Sequence, residues 1–138
     1  MTQQRRDNAS TEFGIWLRQQ EPLDSKHGFV TTNIDYLWRN YKTKQWMLIE
    51  EKRHRYVPKF YQIKLYKVID LACKLAPGYN GFHTVIFENT SPDDGGIWLD
   101  GRYIPQDDFM KFLRFEQPSS WYESYYPPRG LIRIGLGG

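Results

Sequence analysis

The stretch Trp46-Met47-Leu48-Ile49-Glu50-Glu51-Lys52 decides how this chain is read. It is an apolar run that ends in two carboxylates and an ammonium group. A second strand-like run, Asn33-Ile34-Asp35-Tyr36-Leu37-Trp38, lies upstream, and the polar connection Tyr41-Lys42-Thr43-Lys44 separates the two. The pattern predicts a β-hairpin. Side chains alternate across a strand, so Glu50 and Lys52 share a face. A turn centred between Lys42 and Thr43 sets Asp35 opposite Glu50, and opposed residues of an antiparallel pair point to the same side. Two carboxylates and a lysine then converge. A loop one residue longer or shorter would turn Glu50 to the other face. Like charges in direct opposition are destabilising and need compensation, which a divalent cation can supply.

Chain length and composition bound the alternatives. The 138 residues suit one domain with a single core, and the 17% aromatic content supplies large side chains to fill it. The single cysteine, Cys73, excludes an internal disulfide and a cysteine-rich zinc site, and an intracellular, cytoplasmic protein is the simplest expectation. No apolar run approaches the roughly 20 residues needed to span a bilayer. The start, Met1-Thr2-Gln3-Gln4-Arg5-Arg6, leads into polar residues rather than a signal-peptide segment. The net charge of +3 is unevenly spread. From Arg39 to Lys67 nine Lys/Arg face only Glu50 and Glu51, so that stretch is +7 and the remainder −4. The basic segment is the one that carries the acidic cluster, as expected of a phosphate-backbone binder. An ordinary solvated hairpin and helix is the plainer explanation of such a run.

Residues 1–9 read as a polar, frayed terminus. Ser10 or Thr11 can cap a helix from Glu12 to Gln20, closed by Pro22. Phe29-Val30-Thr31-Thr32 begins extended structure. Both faces of the central hairpin are largely apolar, which predicts cover on both sides, as in an α/β sandwich. Pro58 marks the start of a helix to about Leu75, with Leu65, Val68, Ile69 and Ala72 as its buried stripe. Gln62 and Tyr66 stand one turn apart on one face of it, with Lys59 a turn earlier. Gly81 to Glu88 reads as a buried strand in a parallel position. Ile97-Trp98-Leu99 and Arg102-Tyr103-Ile104 flank Asp100-Gly101, a strong hairpin turn. A last helix runs from Pro105 to Phe115. From Pro118 on, the chain is rich in Ser, Tyr, Pro and Gly, and its aromatics either drape over the domain or stack on bases. Leu131-Ile132-Arg133-Ile134 suggests an edge strand or an oligomer contact. His27, His54 and His83 have no recognisable zinc spacing, and no Gly-rich phosphate loop is present.

An acid on one strand followed by Glu-x-Lys on the next resembles the PD-(D/E)XK nuclease superfamily, here through Asn33-Ile34-Asp35 and Ile49-Glu50-Glu51-Lys52. Gln62-Ile63-Lys64-Leu65-Tyr66 is similar to the Q-x-x-x-Y helix of its RecB-like and lambda-exonuclease-like branch. Ile34 stands where the family's motif has proline. The resemblance covers residues 10–90 and implies an α/β, restriction-endonuclease-like core with a central mixed β-sheet flanked by helices. Residues 1–117 would form that domain and 118–138 an aromatic C-terminal tail.

The resemblance implies a Mg²⁺- or Mn²⁺-dependent nuclease acting on DNA, with RNA not excluded, no membrane partner and an oligomer if paired cuts are made. The small size suits phage or mobile-element equipment. Asp35, Glu50, Lys52, Gln62 and Tyr66 would be catalytic. Asp35 and Glu50, the backbone carbonyl of Glu51, and Glu12 on the first helix would be the metal set. Glu12 also has a plainer role, since an acid in a first turn suits the helix dipole. A β-bulge would exchange Glu50 and Glu51, but only Glu50 completes Glu-x-Lys with Lys52. Arg53, Arg55, Lys59 and Lys64 would hold the phosphate backbone. The alternatives are a non-catalytic nucleic-acid-binding module with the same fold, and an interaction protein using its aromatic C-terminus.

Overall fold

The computed structural model describes residues 11–126. The chain divides after Thr32 into two compact units, a boundary inside the 1–117 domain read from the sequence. In the first unit, helix α1 (Glu12–Arg18) is capped by Thr11, whose side chain accepts from the Gly14 N–H at 3.0 Å. Glu12 stands in its first turn. Two 3₁₀ turns follow, Glu21–Leu23 and Ser25–His27. The helix is shorter than expected. The run Phe29 to Thr32 forms no strand.

The second unit is built on a five-stranded mixed sheet in sequence order: β1 (Tyr36–Arg39), β2 (Trp46–Lys52), β3 (Tyr79–Phe87), β4 (Ile97–Leu99) and β5 (Arg102–Ile104). The first pair is antiparallel, with Tyr36 opposite Ile49 and Arg39 opposite Trp46, so the register continues to Asp35 and Glu50. Strand β3 lies parallel to β2, as expected of a strand–helix–strand unit, and β4 and β5 complete an antiparallel edge. The Asp100-Gly101 turn has positive φ at both residues, 50° and 82°, which a tight hairpin of this kind requires.

Helix α2 (Phe60–Cys73) connects β2 to β3, and α3 (Gln106–Leu113) follows β5. The two lie against opposite faces. Tyr66 of α2 packs on Leu48 and Phe82. Phe109 and Phe112 of α3 pack on Met47, Ile49, Val85, Phe87, Ile97, Leu99 and Ile104. The buried stripe of α2 is Ile63, Tyr66 and Asp70, with Val68 and Ala72 exposed, which corrects the expected stripe. Asp70 can face inward because Tyr79, Ser124 and Lys74 meet its carboxyl. Pro58 is buried one residue before the cap, Lys59, rather than inside the helix. The hairpin is not covered on both sides as expected. Only β2 is buried, whereas Tyr36, Leu37 and Trp38 of the edge strand β1 are exposed.

Part of the segment 118–126 joins the core: Tyr122 is buried and Trp121 packs against that core, while Pro118 to Ser120 stay exposed. The 3₁₀ turn Ser119–Tyr122 places Tyr122 face to face with Phe112, 5.1 Å between ring centroids. Its hydroxyl donates to the Phe112 carbonyl at 3.0 Å. Buried Asp70 gathers Ser124 Oγ (2.6 Å), Tyr79 Oη (2.5 Å) and Lys74 Nζ (3.5 Å). Burial pushes the Asp70 carboxyl up, but the hydrogen bonds from Ser124 and Tyr79, the nearby Tyr126 hydroxyl and the Lys74 ammonium outweigh it, leaving the carboxyl below its ordinary range. The segment from Leu131 to Ile134 lies outside the described residues, as do residues 1–9. No helix among the described residues is long and apolar enough to cross a membrane.

Phe112 is fully buried and touches both His83 and Tyr122. Phe112→Ala is expected to lower the unfolding free energy by about 3–5 kcal/mol in urea denaturation. A loss below about 1 kcal/mol would contradict this packing.

Candidate active site

The C-terminal end of β2 emerges from the core with its last side chains on alternating faces. Glu50 and Lys52 face the α2 side and Glu51 the other. The backbone then turns sharply, with His54 and Arg55 at φ 56° and 61°. The left-handed region is unfavourable for residues with a Cβ. It is held here by the His54 N–H on the Asn89 carbonyl (2.8 Å) and the Arg55 N–H on the Phe87 carbonyl (2.9 Å). This turn sends the chain back so that α2 begins beside Lys52.

Five residues predicted as catalytic come together. The Glu51 N–H donates to Asp35 Oδ2 at 2.8 Å, and the Asp35 N–H reaches Glu50 Oε1 at 3.4 Å. Lys52 Nζ stands 3.8 Å from Glu50 Oε2 and 3.4 Å from Gln62 Oε1. The same Gln62 oxygen accepts from the Lys59 N–H at 3.0 Å, so one side chain both caps α2 and fixes the ammonium. Tyr66 is buried, stacked on Phe82 at 4.6 Å, with its hydroxyl against the Glu50 carboxyl.

Glu50 is 5% exposed, whereas the Lys52 side chain keeps a fifth of its surface in solvent. Burial pushes the Glu50 carboxyl up, and the Asp35 charge adds to that. The Tyr66 hydroxyl, the Lys52 ammonium and the Asp35 N–H counteract it without cancelling it. A buried carboxylate beside a second carboxylate is short of positive charge.

The remaining predicted residues are distributed differently. Glu51 turns its side chain to the opposite face, where it accepts from Tyr36 Oη (3.3 Å) and pairs with Arg53 (3.1 Å). Arg53 is therefore tied to Glu51, away from Lys52. Arg55 is paired with Glu88 at 2.6 Å and lies over the Trp98 ring at 5.6 Å. Lys64 lies over the Phe60 ring at 5.2 Å, and Lys59 is exposed at the helix cap. Glu12 belongs to the first unit. His83 is buried as a cross-link, with Nδ1 2.6 Å from Asp100 Oδ2 and Nε2 2.7 Å from the Asn80 carbonyl. Tyr36 and Trp98 were not singled out from the sequence. Their signal was register, since Tyr36 follows Asp35 and Trp98 faces Tyr103 across the Asp100-Gly101 turn.

No family model, curated protein or solved structure matches this chain.

The sign of the Glu50 shift gives a stability test. A carboxyl raised by folding contributes stability below its unfolded value, about 4.3, and loses it as pH rises through the folded value. In EDTA, Glu50→Gln is expected to be more stable than wild type at neutral pH. That advantage should disappear as pH falls below the ordinary carboxylate range, read by thermal melting. An advantage that does not change with pH would remove burial of the charge as its cause.

Proposed function

We propose that this chain is a metal-dependent nuclease that hydrolyses DNA phosphodiester bonds at the Asp35–Glu50–Lys52 cluster. The observation that carries the reading is the meeting of these three groups with Gln62 and Tyr66 where β2 ends. This is the set that the resemblance to PD-(D/E)XK nucleases implies. The donors are hard oxygens, which suit Mg²⁺ or Mn²⁺. Among the described residues no group of three or more His, Cys, Asp and Glu is arranged to hold a metal. The ion would therefore rest on Asp35, Glu50 and the Glu51 carbonyl, with water or substrate completing the shell, as Mg²⁺ tolerates well. The raised Glu50 carboxyl fits that assignment, because a cation offsets the strain between the two acids.

When bound, such an ion polarises the phosphate and lowers the pKa of its water. The protein's own groups do the rest. Asp35 and Glu50 fix the place of the positive charge. Gln62 holds the Lys52 ammonium beside them, where it stabilises negative charge on the phosphate oxygens. The Tyr66 hydroxyl lies by the Glu50 carboxyl and favours its charged form. A non-catalytic binding module is the second reading. It is favoured by the two-carboxylate donor set and by the Asp35 oxygen already engaged by the Glu51 N–H.

Labelled linear and circular DNA, single- and double-stranded, should be cut with Mg²⁺ or Mn²⁺ and stay intact in EDTA. Lys52→Ala and Asp35→Ala should each slow cleavage at least about a hundredfold. Intact wild-type DNA under every condition would exclude the enzyme. Cleavage that survives both substitutions would exclude this site.

A further inference from the structure

The face that carries Glu50 and Lys52 continues beyond α2. In register, Lys52 neighbours Ile86, Ile86 neighbours Trp98, and Trp98 neighbours Tyr103. Cross-strand neighbours point to the same face, so these four side chains form one row across the sheet. With strands about 4.8 Å apart, Trp98 stands about 10 Å from Lys52 and Tyr103 about 14 Å.

Tyr103 is 69% exposed. The two rings are 5.2 Å apart and tilted by 59°. Gly96 makes room for them, because a Cβ there would lie 2.7 Å from the Tyr103 ring and 3.3 Å from the Trp98 ring. A cation is fixed over the same surface. The Arg55 guanidinium sits 5.6 Å from the Trp98 ring centre and is held by Glu88, which in turn accepts from the Gly96 N–H at 2.9 Å. Glu88 offsets part of that charge, and Lys52 stands in the same row at its β2 end.

We infer that Trp98 and Tyr103 form a stacking platform for an unpaired nucleobase, so that this face takes single-stranded DNA running from Lys52. The inference rests on the nuclease reading for the polarity of that path. Exposed Tyr103, with half-buried Trp98 beside it and the Lys52 and Arg55 cations on the same face, offers a ring that takes bases without regard to sequence, because every base has a π-face. In a duplex those faces are already stacked on one another. An unpaired strand is therefore the ligand that fits both the rings and the charge. A cross-strand aromatic pair can also serve only to stabilise its hairpin, and the test separates the two roles.

The test is binding in EDTA, by anisotropy, of a labelled oligothymidylate of about 12 nucleotides and of a duplex of equal length. Wild type should prefer the single strand. Tyr103→Ala and Tyr103→Val should each weaken single-strand binding about tenfold and leave duplex binding unchanged. Tyr103→Phe should bind like wild type. Valine keeps the strand propensity and loses the ring, so a hairpin-stabilising role would leave Tyr103→Val binding normal and overturn the platform. Equal affinity of wild type for both DNAs, no binding of either, or tighter binding of oligouridylate would overturn it as well. Lys52-dependent cleavage with Tyr103→Val binding unchanged would sink the platform and spare the nuclease. Ring-dependent binding without any cleavage would do the reverse.

Discussion

Strand β2 is the constraint on which the rest of this unit depends. It pairs antiparallel with β1 on one side and parallel with β3 on the other. Met47, Leu48, Ile49 and Glu50 are all buried, so the strand has no solvent face along its middle. A strand enclosed in this way needs a layer on each side, and α2 and α3 supply them. The chain leaves the enclosure at Glu51 and Lys52. Charge can be placed there because one end of the strand is still reached by water, and Lys52 is partly exposed where Glu50 is not.

The alternation of that strand end separates two ion clusters that a linear reading merges. Glu50 and Lys52 face α2 with Gln62 and Tyr66, while Glu51 and Arg53 pair on the other side. The buried cluster is the costly one, since a carboxylate there has given up its hydration. Tyr66, Lys52 and the Asp35 N–H return only part of it, and the Glu50 carboxyl stays raised.

The opposite end of the sheet is organised by a different buried acid. Asp70 on α2 gathers Tyr79 and Ser124 and holds the C-terminal segment across the start of β3, where the Phe82 N–H also donates to Ser124 Oγ. Asp70 lies below its ordinary range, where Glu50 lies above it. The contrast follows from the partners. The hydroxyl donors and ammonium around Asp70 outweigh its burial, whereas at Glu50 burial, with the Asp35 carboxylate added, outweighs the Tyr66 hydroxyl, the Lys52 ammonium and the Asp35 N–H. One helix thus buries two acids, one saturated with donors and one short of positive charge.

The sequence by itself determined the strand–helix–strand order and the Asp100-Gly101 turn, and it set Asp35 against Glu50 for one loop length, which the observed register bears out. Each of these is set by short-range physics: alternation along a strand, turn chemistry, and helix periodicity. It also placed Gln62 and Tyr66 on one helical face, though not against Lys52 and Glu50. The tertiary structure alone decided which residues of α2 are buried, because Val68 and Ala72 match the helical period as well as Ile63 and Tyr66 do. It decided that Arg53 and Arg55 are engaged by Glu51 and Glu88, since ion pairing depends on which faces and loops meet in space. It also decided that Tyr122 enters the core and that half-buried Ser124 ties down the C-terminal segment. Their role rests on contacts with Asp70 and Phe112, distant in sequence, and no local pattern in a Ser-, Tyr- and Pro-rich segment encodes such contacts.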